Sequence, residues 1–238
     1  MAANAFGESR RANRPATRWL HENGLSLALL ALFLLFLAGE AAVGARDLND
    51  ERAAHGEAPL TMPQYLMTGH FIETTAENWE SEFLQMAAYV LLTVSLFQKG
   101  SSESKKLEGG EAVDRDPREV RGKALAQAPW PVRRGGWVLA LYEYSLSLAF
   151  LLLFALSFVA HAIGGARAYS DEQLAHGGTA VDTMAYLRTS HFWFESLQNW
   201  QSEFLAILAM VVLSIHLRQR GSPESKPVAA PHAHTGSD

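Results

Sequence analysis

Cysteine is absent from all 238 residues, which excludes disulfides, thiolate nucleophiles, iron–sulfur clusters and cysteine-bound zinc, and leaves the redox state of the compartment unmarked. Catalytic spacings are missing too. There is no paired-histidine helix motif, no nucleophile elbow and no phosphate-binding glycine loop, so no recognised spacing supports an enzyme. One would have to draw on His70, His191, Glu51, Glu172, Asn78 and Asn199 of the outer segments. Charge, proline and glycine are missing from the middles of four apolar stretches, "LALLALFLLF", "AAYVLLTV", "LAFLLLFALSF" and "ILAMVVLS". A conduction path inside one chain would place polar groups or broken helices there, so none is expected, and only a pore between subunits stays open. Haem is not expected either. His161 lies toward one end of its stretch and His216 toward the other, so the bundle offers no facing pair at one depth.

The sequence does hold four apolar blocks, at 25–44, 83–97, 145–166 and 204–217, separated by charged segments. The first, with Glu40 as its one charge, spans about 30 Å at about 1.5 Å per residue, the thickness of a bilayer core. It follows Arg10, Arg11, Arg14 and Arg18 and ends "AAVGA", which also fits a cleaved secretory signal. An internal repeat argues against cleavage. Sliding the sequence on itself by 121 residues aligns 22–105 with 143–226 without a gap, and 39 of the 84 positions are identical. Pairs include His55 and His176, Tyr65 and Tyr186, His70 and His191, and Trp79 and Trp200. Glu40, however, is matched by His161.

Each copy carries two apolar blocks and so crosses an even number of times, which gives both copies one orientation, a parallel repeat. Sixteen Lys and Arg residues lie in the N-terminal tail, the segment 99–134 and the C-terminal end, against four in the two hairpin loops. The positive-inside rule therefore places both termini in the cytoplasm. The fold expected is an all-α integral membrane protein with four transmembrane helices, built as two tandem parallel two-helix repeats with short helices forming an outer cap. Its parts are a basic cytoplasmic tail (1–18), repeat 1 (19–105, crossings about 22–44 and 78–98, cap 45–77) and a flexible cytoplasmic linker (106–136). Repeat 2 (137–226, crossings about 139–165 and 199–219, cap 166–198) and a disordered tail (227–238) follow.

Local signals punctuate this plan. "RAAHG" and "QLAHG" read as helix ends stopped at Gly56 and Gly177, with His55 and His176 over the last carbonyls. Thr61 and Pro63 open a short helix toward Tyr65. Small residues at Ala162, Gly165 and Ala166, and at Ala41, Gly44 and Ala45, predict close helix crossings. Trp79 and Trp200 read as anchors at the outer headgroup level.

The blocks 83–97 and 204–217 are too short to cross, so polar residues must be drawn in. Counting about 20 residues back from Phe97 and Leu217 puts Glu82 and Glu203 about 6 Å inside the outer boundary. Glu40 and His161 fall at about the same depth on the odd helices. A plain reading has Glu82 and Glu203 favouring helix N-termini capped by Asn78 and Asn199. It leaves Glu40 without a reason, since a carboxylate near a helix C-terminus opposes the dipole. The candidate site is thus a layer of Glu40, Glu82, His161 and Glu203 that shares a proton or holds a divalent cation, with zinc, manganese and iron all compatible.

The motifs "NWESEFLQMAAYVLL", "NWQSEFLA", "PWPVRRGG" and "RQRGSPESK" in a duplicated chain resemble an uncharacterised family of bacterial membrane proteins with no assigned function. The resemblance covers nearly the whole chain. It implies a multi-pass protein of the bacterial inner membrane and carries no activity or site residue with it. Function then rests on the residues alone. The first reading is a non-enzymatic accessory or scaffold protein binding another membrane component, and the alternative is proton- or metal-ion-linked transport or sensing through the Glu/His layer. The lipid bilayer and a membrane-protein partner or second copy are the expected associates, and nucleic acid is not.

Overall fold

The computed structural model of the protein describes residues 15–236. The basic N-terminal tail as far as residue 14, with Arg10, Arg11 and Arg14, lies outside the described residues. Within them the chain is all-helical and has no strand. Helices α1 (Pro15–Glu22), α2 (Gly24–Ala54), α3 (Met62–Tyr65) and α4 (Gly69–Ser95) are followed by a segment of short turns. That segment, expected to be a flexible linker, contains α5 (Gly122–Gln127) and α6 (Trp130–Arg134). Then come α7 (Gly136–Glu143), α8 (Ser145–Ala175), α9 (Thr183–Tyr186) and α10 (Ser190–Leu213). Helices α8, α9 and α10 each begin 121 residues after α2, α3 and α4.

Two of these helices, α2 and α8, are long and apolar enough to cross a membrane, each with 31 residues. Four such helices were expected. The difference has a composition cause: α4 and α10 are long, but their first halves are rich in Glu, Asn and Gln, leaving apolar runs shorter than the roughly 20 residues a crossing requires. Both helices also start early. Glu82 and Glu203 therefore stand well inside α4 and α10, and Asn78 and Asn199 do not cap them.

The described chain divides after Phe71 into two compact units. In the first, α2 ends at His55, whose ring Nδ1 lies 3.0 Å from the Glu51 carbonyl, and the chain turns at Gly56 with φ +74°, a left-handed conformation glycine adopts without a Cβ clash. The Asn49 side chain then pins the loop through both the amide and the carbonyl of Leu60. Thr61 and Gln64 form the capping box that starts α3. This delivers Tyr65, 1% exposed, against Gly44, where any Cβ would overlap the phenol.

The second unit repeats these devices with different residues. Ser170 takes the place of Asn49 and bonds both polar groups of Val181. Asp182 caps α9 and Thr189 caps α10. The buried residues Ala162, Ala166, Tyr186 and Phe192 form the core, with Phe158 and Tyr169 packed on it. Tyr186 and Phe192 meet edge to face at 5.5 Å. Glycine at 164 lets α8 approach the backbone of α4 at Ile72 and Glu73, and glycine at 165 makes room for the Tyr186 ring and the Glu73 carboxylate, a close crossing of the kind small-residue spacing favours.

At the other end of this unit the tail expected to be disordered is held as far as residue 236. The Lys226 ammonium, 1% exposed, donates to the carbonyls of Ile215, His232 and His234 at 3.2, 3.0 and 3.0 Å, and to that of Gly100. The Gly100 amide donates to Thr235 Oγ1 at 2.9 Å. A charged donor contributes about 1.5–3 kcal/mol per hydrogen bond. Lys226→Met is accordingly expected to raise protease cleavage within 227–236 by about tenfold or more, with helix content unchanged, and equal cleavage of both proteins would show the lysine is not the clasp.

Candidate functional site

Three glutamates on α4, Glu73, Glu77 and Glu80, stand four and three residues apart, which stacks them on one helix face. That face meets α8 at His161 and the start of α10 at Glu195. His161 is fully buried, and so is Glu80. Their contact is 2.8 Å between Nδ1 and Oε2, while the other Glu80 oxygen accepts from Trp200 Nε1 at 3.0 Å. Trp200, expected as a headgroup anchor, thus supplies a hydrogen bond to the centre. With both oxygens of Glu80 accepting, the proton of a neutral His161 belongs on Nδ1.

That leaves Nε2 facing inward. It has no hydrogen-bond partner although it is buried. Glu195 Oε2 lies 3.5 Å from it and Glu77 Oε2 3.9 Å. Tyr186 then links two carboxylates, with its hydroxyl 2.9 Å from Glu73 Oε1 and 2.7 Å from Glu195 Oε2. One hydroxyl hydrogen serves one acceptor, so the arrangement is satisfied only if Glu73 or Glu195 carries a proton or a cation lies between them. Asn199 donates to Glu77 at 2.7 Å. His191, nearly half exposed, reaches Glu195 Oε1 at 3.0 Å and connects the centre to the surface.

Glu73 lies on α4 ahead of 78–98, outside the stretch expected to cross. Burial first, and then the charge of Glu195, pushes its carboxyl up to about 7, against the hydrogen bond from Tyr186. The folded chain therefore holds this proton more tightly than the unfolded chain, whose value is 4.5. Stability contributed below pH 4.5 is lost as pH rises through about 7. The melting temperature of metal-free protein is expected to fall between pH 5 and pH 8, and Glu73→Gln to flatten that fall. A parallel fall in both proteins would remove Glu73 from the account.

Of the four residues expected as one layer, the structure sets the charge of Glu82 within reach of that of Glu203. His161 joins the centre just described. Glu82, two residues past Glu80, points off the opposite side of α4 and is exposed. Glu203 is half-buried, with Gln85 Nε2 donating to its backbone carbonyl at 2.8 Å. Among the described residues no hydrogen bond or ion pair joins His161 to Glu82 or Glu203. Glu40 belongs to the first unit, half-buried on α2, where burial and then the charges of Glu40 and Asp47 raise the Tyr65 phenol. The three atoms best placed for a metal are on Glu73, His161 and Glu195, all within 4.8 Å of one another.

The residues missed were Glu73, Glu77, Glu80 and Glu195. Comparing the two copies for identity hid them: the counterparts of the α4 trio are Phe194, Gln198 and Gln201, and that of Glu195 is Thr74. The helical spacing of the trio was the available signal.

No curated protein and no solved structure matches the chain. A family model does match across residues 16–237, nearly the whole sequence, and the chain therefore belongs to the family described as a domain of unknown function, DUF6766.

Proposed function

We propose that this is a four-crossing protein of the bacterial inner membrane, two parallel repeats with both termini cytoplasmic, that links a proton or a metal ion to transport or sensing. One observation carries the functional part. Four carboxylates and an imidazole gather in one place, with Nε2 of the fully buried His161 lacking a partner. Charge of one sign is not accumulated in a core for stability, because each ion loses its hydration there. His161 and Glu80 fall within expected crossings, with the other carboxylates beside them in the expected cap, and ionisable residues inside membrane segments serve ion binding and proton relay. Of the layer expected with His161, Glu82 and Glu203 remain part of the proposal as further charge in the outer leaflet.

Two measurements test it. With no native cysteine, Thr179→Cys should react with an impermeant thiol reagent in intact cells and Glu108→Cys should not, and the reverse pattern defeats the topology. Purified protein in sealed vesicles should then move protons or divalent ions, read by entrapped dyes, or change its tryptophan emission when either is added. Glu195→Gln should abolish the response. Silence in both assays defeats the ion-linked reading.

The accessory reading has an observation of its own. Met184, Trp193, Phe194 and Leu197, from the expected cap, are 61%, 42%, 67% and 55% exposed, the last three within five residues of α10, and exposed apolar side chains grouped along a helix suit an interaction site. A stoichiometric partner that survives mild detergent and is lost on Phe194→Ser would support it.

A further inference from the structure

The buried centre has a donor set that selects its ligand. We propose that His161 Nε2, Glu73 and Glu195 bind one divalent first-row transition-metal ion per chain, with Glu80 as the residue that positions the imidazole. This rests on the ion-linked reading and goes further by naming the ion class and its ligands.

The tautomer comes first. Metal-ligating histidines donate their second ring nitrogen to a carboxylate or carbonyl, which fixes the ring and raises its basicity. Glu80 makes that contact at 2.8 Å and is itself held by Trp200. The lone pair on Nε2 is then directed at the carboxylates, where it meets no hydrogen-bond donor. An imidazole lone pair facing carboxylate oxygens is repulsive unless a proton or cation lies between them. Bonds of about 2.1 Å in tetrahedral array separate ligand atoms by about 3.4 Å, and Nε2 stands 3.5 Å from Glu195 Oε2. Glu73 completes the group within 4.8 Å, so its carboxylate closes inward on binding.

Charge and softness narrow the ion. Two carboxylates and a neutral imidazole neutralise a dication. Oxygen donors with a single imidazole favour manganese, iron(II) or zinc over copper(I), which takes sulfur ligands. The Tyr186 hydroxyl, 2.9 and 2.7 Å from the two ligand carboxylates, donates to one of them and orients it, and Asn199 holds Glu77 alongside as a further carboxylate. His191, at the exposed end of Glu195, is the point of entry.

The test uses the full chain in detergent. It is loaded with manganese, iron(II), zinc or cobalt(II), desalted, and measured by elemental analysis, with the visible spectrum of the cobalt form reporting nitrogen and oxygen ligation. The expected result is one equivalent of at least one of these ions per chain, reduced at least tenfold by Glu195→Gln and by Glu73→Gln. Both variants keep shape and volume, and a melting curve shows that they remain folded. His161→Gln should abolish binding. The tail histidines need a control, since His216 and His232 lie with ring centres 5.1 Å apart. His232→Ala with His234→Ala should leave the equivalent in place, and its loss would put the metal on the tail and overturn the proposal. Wild type that binds none of the four ions also overturns it. Proton movement in vesicles without bound metal would overturn the metal assignment while the ion-linked reading stands. A bound equivalent without any transport or fluorescence response would do the opposite.

Discussion

Glu80→Leu is expected to destabilise the protein by about 3–5 kcal/mol, since two buried donors lose a charged acceptor and each such hydrogen bond contributes about 1.5–3 kcal/mol. In a chain of this size that lowers the melting temperature by roughly 6 to 20 °C. The reason lies in what is left behind: the Nδ1 proton of His161 and the indole N–H of Trp200 both end on Glu80, and leucine leaves two buried donors with no acceptor. Glu80→Gln should fall between, since one amide oxygen replaces one carboxylate oxygen and the amide NH2 confronts the other donor. Adding His161→Phe and Trp200→Phe to Glu80→Leu should recover part of the loss, because the orphaned donors go with their partners. A strictly additive triple variant, or a single variant costing under about 1 kcal/mol, would show that these three side chains do not act together.

The second large effect is expected at Gly164. A Cβ there would stand 2.7 Å from the backbone nitrogen of Glu73 and 2.9 Å from Ile72 Cγ2. Backbone cannot rotate away as a side chain can, so Gly164→Ala forces α8 and α4 apart. Overpacking of this kind costs about 1–3 kcal/mol and at times more. Gly39→Ala is the control, since nothing lies within 4 Å of a Cβ at that position and alanine is the better helix former by about 1 kcal/mol. Thermal melting of the two variants should move in opposite directions. Equal shifts would mean that helix propensity alone decides both, and that the close crossing is not a constraint.

Much of the helical plan was legible because its signals are local. Apolar runs marked α2 and α8, Thr61 with Pro63 marked α3, and the histidines before Gly56 and Gly177 marked two helix ends. The starts of α4 and α10 were less legible, because Asn78 and Asn199 imitate caps while lying inside helices that begin at Gly69 and Ser190. His161 was legible as an ionisable residue in an apolar helix. Its partners were not, for a physical reason. Depth counting places residues along the membrane normal but ignores their angle around the helix, and only Ser81 separates Glu80, fully buried, from Glu82, exposed. The clasp at Lys226 was illegible altogether, since backbone carbonyls carry no mark in a sequence.

The centre draws Glu73, Glu77 and Glu80 from the first copy of the duplicated sequence and His161, Tyr186, Glu195 and Trp200 from the second. Two identical subunits joined about a two-fold axis must repeat every side chain, so each change in such a pair is made twice and each site occurs twice. A fused duplicate is free of that rule. Phe194, Gln198 and Gln201 stand where the glutamates of the first copy would be repeated. The two halves of this chain therefore supply different parts, one a carboxylate face and the other an imidazole with its supports, so a separated half would carry an incomplete set.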